Sequence, residues 1–195
     1  MSEFYQDAQF AQTYHDMVDR EDYQGNLLRA IKKVTSLNNK AVLELGAGTG
    51  RVSCLLAPHT RSLTVTDLSP SMLAQGIKNL SKFAPGNYQA VLAAHQELPF
   101  ADDSFDCIVS GWSFHGVILG FPDNWQTALD QALAGVARVL HHGGNVILIE
   151  SLGTGFETPN PPDDLADYLD ALDARGFEST WIRTDYCFSN MAEAN

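Results

Sequence analysis

The chain is 195 residues long, enough for one full core and too short for two sizeable domains. Twelve basic against 24 acidic residues leave a formal net charge of −12, which repels phosphate backbones and anionic bilayers and argues against nucleic-acid and membrane partners. The start, "MSEFYQDAQF", has no signal-peptide character, and no apolar run approaches the roughly 20 residues that cross a bilayer. Cys54, Cys107 and Cys187 lie far apart, with neither a metal-ligand spacing nor an even framework, so a cytoplasmic protein without a metal site is expected.

In chain order, residues 1–38 read as helical, with Leu27, Leu28, Ile31 and Val34 at helical spacing. "AVLEL" (41–45) is a short buried strand ending at glycine, and "GRVSCLLAPH" a short helix stopped near Pro58. "SLTVTD" (62–67) is a second strand, and "SPSMLAQGIKNLSKF" a helix with Ser69 as N-cap and Pro70 in its first turn. "YQAVLA" (88–93) and "SFDCIVSG" (104–111) are the third and fourth strands. "NWQTALDQALAGVARVL" is a helix expected to stop at Gly143–Gly144, with His141 and His142 exposed at its end. "NVILIES" (145–151), apolar almost throughout, reads as a fifth strand in the middle of a parallel sheet. "DDLADYLDALDARG" is an acidic amphipathic helix ending at Gly176, and "STWIRTDYCF" (179–188) reads as a sixth strand. Alternating strands and helices define one doubly wound, three-layer α/β domain with its ligand beyond the carboxyl ends of the strands.

The glycine turn reads Glu44-Leu-Gly46-Ala-Gly48-Thr-Gly50. A dinucleotide fingerprint needs its third glycine one residue later, and the Gly-Lys-Ser/Thr of a P-loop is absent. An acid directly before the turn is an awkward neighbour for a phosphate and suits a ligand with a positively charged amine. Asp67 ends the second strand, where a carboxylate can accept hydrogen bonds from both hydroxyls of a ribose.

Four segments, "ELGAGTG", "TVTDLSPSML", "AAHQELPFADDSFDCIVSG" and "ARVLHHGGNVILIE", stand in the order found in class I S-adenosylmethionine-dependent methyltransferases. The chain resembles the type-11 group of that family over roughly residues 40–188. The resemblance implies a Rossmann-like core at 40–188 within a single domain, with residues 1–38 as a helical lid. It implies S-adenosylmethionine as cofactor and S-adenosylhomocysteine as product. Its cofactor contacts would be Glu44, Gly46, Ala47, Gly48, Gly50, Asp67, Leu68, Met72, His95, Gln96 and Ser110. Glu44 would face the amine and Asp67 the ribose, with Leu68 and Met72 beside the adenine; for Met72 alone, core packing reads equally well. The family's adenine-capping aspartate aligns with Ala94, which leaves that edge to backbone groups or Gln96.

The implied reaction is methyl transfer to a small-molecule acceptor, with Tyr14, Trp112 and His115 nominated on the acceptor side. His115 is the candidate base, needed only if the acceptor loses a proton, and Trp112 reads as either a cavity wall or core. The family's sixth and seventh strands form an antiparallel pair; here no seventh is expected, whether through truncation, cover by a partner or tolerance of an open edge, and the chain is expected as a monomer or, with that edge exposed, a homodimer. Two rivals remain. Ala94 and the missing strand would suit a non-catalytic binding module, and a nicotinamide-dependent dehydrogenase is disfavoured by the glycine spacing.

Overall fold

All five residues of β1 (Ala41–Leu45) are buried, because the strand lies at the centre of a parallel sheet covered on both faces. The computed structural model describes residues 8–83 and 86–190. Within them β1 is joined by β2 (Ser62–Asp67), β3 (Tyr88–Leu92), β4 (Phe105–Gly111) and β5 (Leu140–Ile149), in the order β3-β2-β1-β4-β5. Every pairing is parallel, and Leu43 stands opposite Thr64 of β2 and Ile108 of β4. The chain winds outward from β1 to β3, then starts again beside β1. The strand order therefore reverses between β1 and β4, and a crevice opens at their carboxyl ends.

Alternation along β1 divides the core. Leu43 and Leu45 join Ile108 and side chains of α5 (Gly116–Gly120), α6 (Trp125–Val139) and α7 (Asp163–Asp173), among them Val117, Leu129 and Tyr168. Val42 joins the opposite cluster, with Ile31 of α2 (Asn26–Val34), Leu56 of α3 (Arg51–Leu56) and Leu80 of α4 (Pro70–Phe83). The result is the expected three-layer α/β/α arrangement. Ahead of it, α1 (Ala8–Val18) packs on α4, where Gln75 Nε2 donates to Gln12 Oε1 at 3.0 Å. Residues 1–7 of the expected N-terminal helical segment lie outside the described residues.

Three expectations are corrected. The helix before β5 ends at Val139, so His141, His142 and the glycine pair belong to the strand. The register jumps there from Phe105↔Leu140 to Cys107↔Asn145. The extra residues form a bulge in which Gly143 adopts φ 79° and a side chain on Gly144 would crowd the Asp106 carbonyl at 2.9 Å. Next, β5 is an edge strand, none of whose residues is fully buried, although its apolar run reads as central. Finally, 179–188 forms no strand: its sole pairing among the described residues is an antiparallel bridge between Tyr186 and Glu21. β-branched and aromatic composition makes a strand only where the backbone pairs with an edge, and this segment leaves the edge of β5 unpaired. This segment instead lies against the turn between α1 and α2, where Cys187 N–H donates to Arg20 O at 3.0 Å and Asn26 Nδ2 to Arg183 O at 2.9 Å. Neither a sixth nor a seventh strand is present among the described residues.

Candidate active site

The turn after β1 is shaped by what surrounds each glycine. A side chain on Gly46 would collide with that of Ser113, in the loop after β4. A side chain on Gly48 would meet only Met72 Cε, at 3.7 Å, and its φ of 54° is one that bulky residues avoid. Gly50 lies against α4, with its would-be Cβ 3.3 Å from Gly76 Cα. Of the three, Gly48 is the one whose backbone opens toward free space.

Two carboxylates flank that turn. Glu44 is buried on the face of β1 shared with Val42, and Ser53 Oγ of α3 donates to its Oε2 at 2.5 Å. Burial, reinforced by the nearby Asp67 charge, pushes its carboxyl up to about 8 against the Ser53 hydrogen bond. Asp67, at the end of β2, accepts Gly48 N–H at 2.7 Å on Oδ2 and Ser69 N–H at 2.8 Å on Oδ1. Burial raises its carboxyl too, and these backbone donors oppose the rise. Asp67 thus ties the end of β2 to the glycine turn while keeping further lone pairs.

A cavity of about 820 Å³ lies over this turn. Tyr14, Glu44, Gly46, Ala47, Gly48, Asp67, Leu68, Met72, His95, Gln96, Trp112 and His115 all line it, although they come from five separate stretches of chain. Gly50 and Ser110 do not. Gly50 is spent on the approach of α4, and Ser110 sits fully buried beneath the floor, 2.9 Å from Ser113 Oγ. Ser113 in turn donates to Leu45 O at 2.8 Å and lies 3.3 Å from His95 Nε2. Burial lowers the His95 imidazole to about 4, so it is neutral near pH 7, stacked on Phe114 with ring centroids 5.4 Å apart.

At the outer end, His115 Nε2 lies 3.7 Å from Asp164 Oδ2, and its ring leans on Tyr168. The backbone N–H of His115 donates to Glu150 Oε1 at 3.0 Å, at the carboxyl end of β5. Burial pushes the Glu150 carboxyl up to about 7.

Residues 43–148 match the methyltransferase domain family, more than half of the chain. The chain belongs to that family. It is 32% identical over 135 residues to a ubiquinone/menaquinone biosynthesis C-methyltransferase of Geotalea daltonii, covering 67% of this chain and 51% of the relative. It is 30% identical over 154 residues to the enzyme of the same name from Francisella tularensis, covering 72% of this chain and 58% of that one. The chain thus spans a little over half the length of these relatives. Its fold is that of a crystal structure of an S-adenosylmethionine-dependent methyltransferase from Aquifex aeolicus, with a TM-score of 0.66, 15% identity and coverage of 87% and 88% of the two chains.

The range matched to the family, 43–148, holds every expected cavity residue except Tyr14. Among the cavity residues that the sequence did not point to are Arg51 and Ser113. Arg51 follows the last glycine directly, but a helix-starting arginine carries no pattern of its own. Ser113 is recognisable only once β4 and the glycine turn are seen to touch. Ala94, where the family has its aspartate, does face the cavity.

Proposed function

We propose that this cavity binds S-adenosylmethionine and that the chain transfers its methyl group to a small-molecule acceptor, leaving S-adenosylhomocysteine. Gly48 carries the reading: its backbone is open to the cavity, its N–H is fixed by Asp67, and Glu44 precedes it in the same turn. These groups fit the cofactor, because an open backbone admits its linear part while two acids suit an ammonium and a diol. Bound there, S-adenosylmethionine supplies a methyl group made electrophilic by its sulfonium.

The chain's own contribution is alignment and exclusion of water. Asp67 has lone pairs left for ribose hydroxyls, and Glu44 meets the ammonium. Leu68 and Met72 flank the adenine, whose edge falls to Gln96 and the backbone near Ala94. We read α1 as the lid: Tyr14 lines the cavity, and Gln12 is bonded to Gln75 of α4. Where the acceptor must lose a proton, His115 takes it, with Asp164 beside Nε2 to steady the imidazolium and Glu150 holding the loop by the His115 N–H.

The relatives' names make a quinol-type ring the first acceptor to try. Methyl-labelled S-adenosylmethionine incubated with such quinols, followed by mass spectrometry, should give a labelled product. Tight binding of S-adenosylhomocysteine with no transfer to any acceptor would favour the binding-module reading, for which Ala94 is the supporting residue.

A further inference from the structure

The cofactor's amino-acid end is a zwitterion, and the acids around the glycine turn account for only one half of it. Glu44, Asp67 and Glu150 line the cavity, and once Glu44 ionises against the ammonium, the cofactor's carboxylate lies among like charges unless a cation stands nearby. Arg51 is the one lysine or arginine among the described residues that line this cavity.

Its side chain is held in place from two directions. Nη1 forms an ion pair with Glu21 Oε2, and both side chains are largely buried, at 17% and 10% exposure. The guanidinium carbon lies 3.2 Å from the centroid of the Trp112 ring, a stacked cation–π contact. Glu21 is itself anchored, since Thr184 Oγ1 donates to its Oε1 at 2.7 Å. One nitrogen and one face of the guanidinium are thus committed, and Nε and Nη2 have no partner among the described residues. A guanidinium offers five donors in a rigid fork, so it can serve a second carboxylate beside the first. The Arg51 charge also acts on Glu44, whose carboxyl it lowers. An acid and a base therefore face the same turn close enough to feel one another, as a zwitterion requires.

We infer that Arg51 is the group that binds the cofactor's carboxylate, with Glu21 and Trp112 as the residues that position it. This rests on the reading of the cavity as an S-adenosylmethionine site. Cofactor binding then draws on the turn between α1 and α2 as well as on the sheet, because Glu21 belongs to that turn.

The test compares two probes by calorimetric titration: S-adenosylhomocysteine, and 5′-methylthioadenosine, which has the adenosine and sulfur but no amino-acid end. Arg51→Met should weaken S-adenosylhomocysteine by roughly ten- to a hundredfold, the usual worth of a charged hydrogen-bonded contact, and leave 5′-methylthioadenosine within about twofold. Arg51→Lys, which keeps the charge and loses the fork, should fall between, and it carries the test if Arg51→Met does not fold. Equal weakening of both probes would mean that Arg51 only shapes the cavity, and an unchanged ratio would mean that it touches no carboxylate; either overturns the inference. A wild-type chain that binds neither probe overturns the cofactor reading itself, and this inference with it.

Discussion

Glu44 has a buried carboxyl pushed up to about 8, and the ligand proposed for it is an ammonium. At pH 7 that carboxyl is therefore protonated, and a cation arriving beside it favours the ionised form. Binding of S-adenosylhomocysteine near pH 7 should release a proton. The measurement is the binding enthalpy in two buffers of different ionisation heat, which should differ for the wild type and agree for Glu44→Gln. The same group sets a slope in stability. Its folded value is above its unfolded one, near 4.5, so the folded state keeps a proton that the unfolded state has lost between about 4.5 and 8. Stability should fall as pH rises through that window, by up to about 1.4 kcal/mol per pH unit from this group alone. Urea titrations of Glu44→Gln should show a shallower decline, with Glu150 adding its own from about 4.5 to 7. At the same scale, Asp67→Ala removes both the ribose acceptor and the anchor of Gly48 N–H. It should weaken S-adenosylhomocysteine by roughly ten- to a hundredfold; unchanged affinity in a folded variant would refute the site assignment.

Among the elements, the glycine turn and α4 are fitted to each other. A side chain on Gly76 would sit 2.9 Å from Gly48 O and 3.4 Å from Gly50 N, against backbone that cannot yield cheaply. Gly76→Ala is expected to cost roughly 1–3 kcal/mol in urea denaturation, as overpacking does, despite the better helix propensity of alanine. No pattern in the sequence marks Gly76, because its partners are 26 or more residues away. By contrast β1, β2 and the turn between β1 and α3 were legible, since apolar runs that stop at glycine or aspartate are local signals. The end of α6 was not: "HHGG" reads as a helix stop, and only pairing with β4 turns it into a bulge. The stretch 179–188 misled for the same reason: its composition suits a strand, but its backbone bonds go to Arg20 and Asn26, around the turn between α1 and α2, and not to the open edge of β5. Local chemistry predicts a strand's residues, and partners decide whether there is a strand.

For the whole molecule, the order β3-β2-β1-β4-β5 brings Tyr14, Asp67, Gln96 and His115 to one cavity from positions spread over a hundred residues. That convergence follows from the doubly wound topology, which is why the resemblance to the family could nominate residues that line one cavity. Contacts between separate segments, such as Arg51 on Trp112 or Ser113 under Gly46, needed the assembled sheet. A ligand that binds only this folded arrangement should raise the midpoint of thermal unfolding in proportion to the logarithm of its concentration. The most direct measurement is a calorimetric titration of the wild type and Gly48→Val with S-adenosylhomocysteine and with NAD. The wild type should bind S-adenosylhomocysteine and not NAD, and a folded Gly48→Val should bind neither. Binding of NAD alone, or S-adenosylhomocysteine affinity undiminished in Gly48→Val, would contradict the cofactor reading.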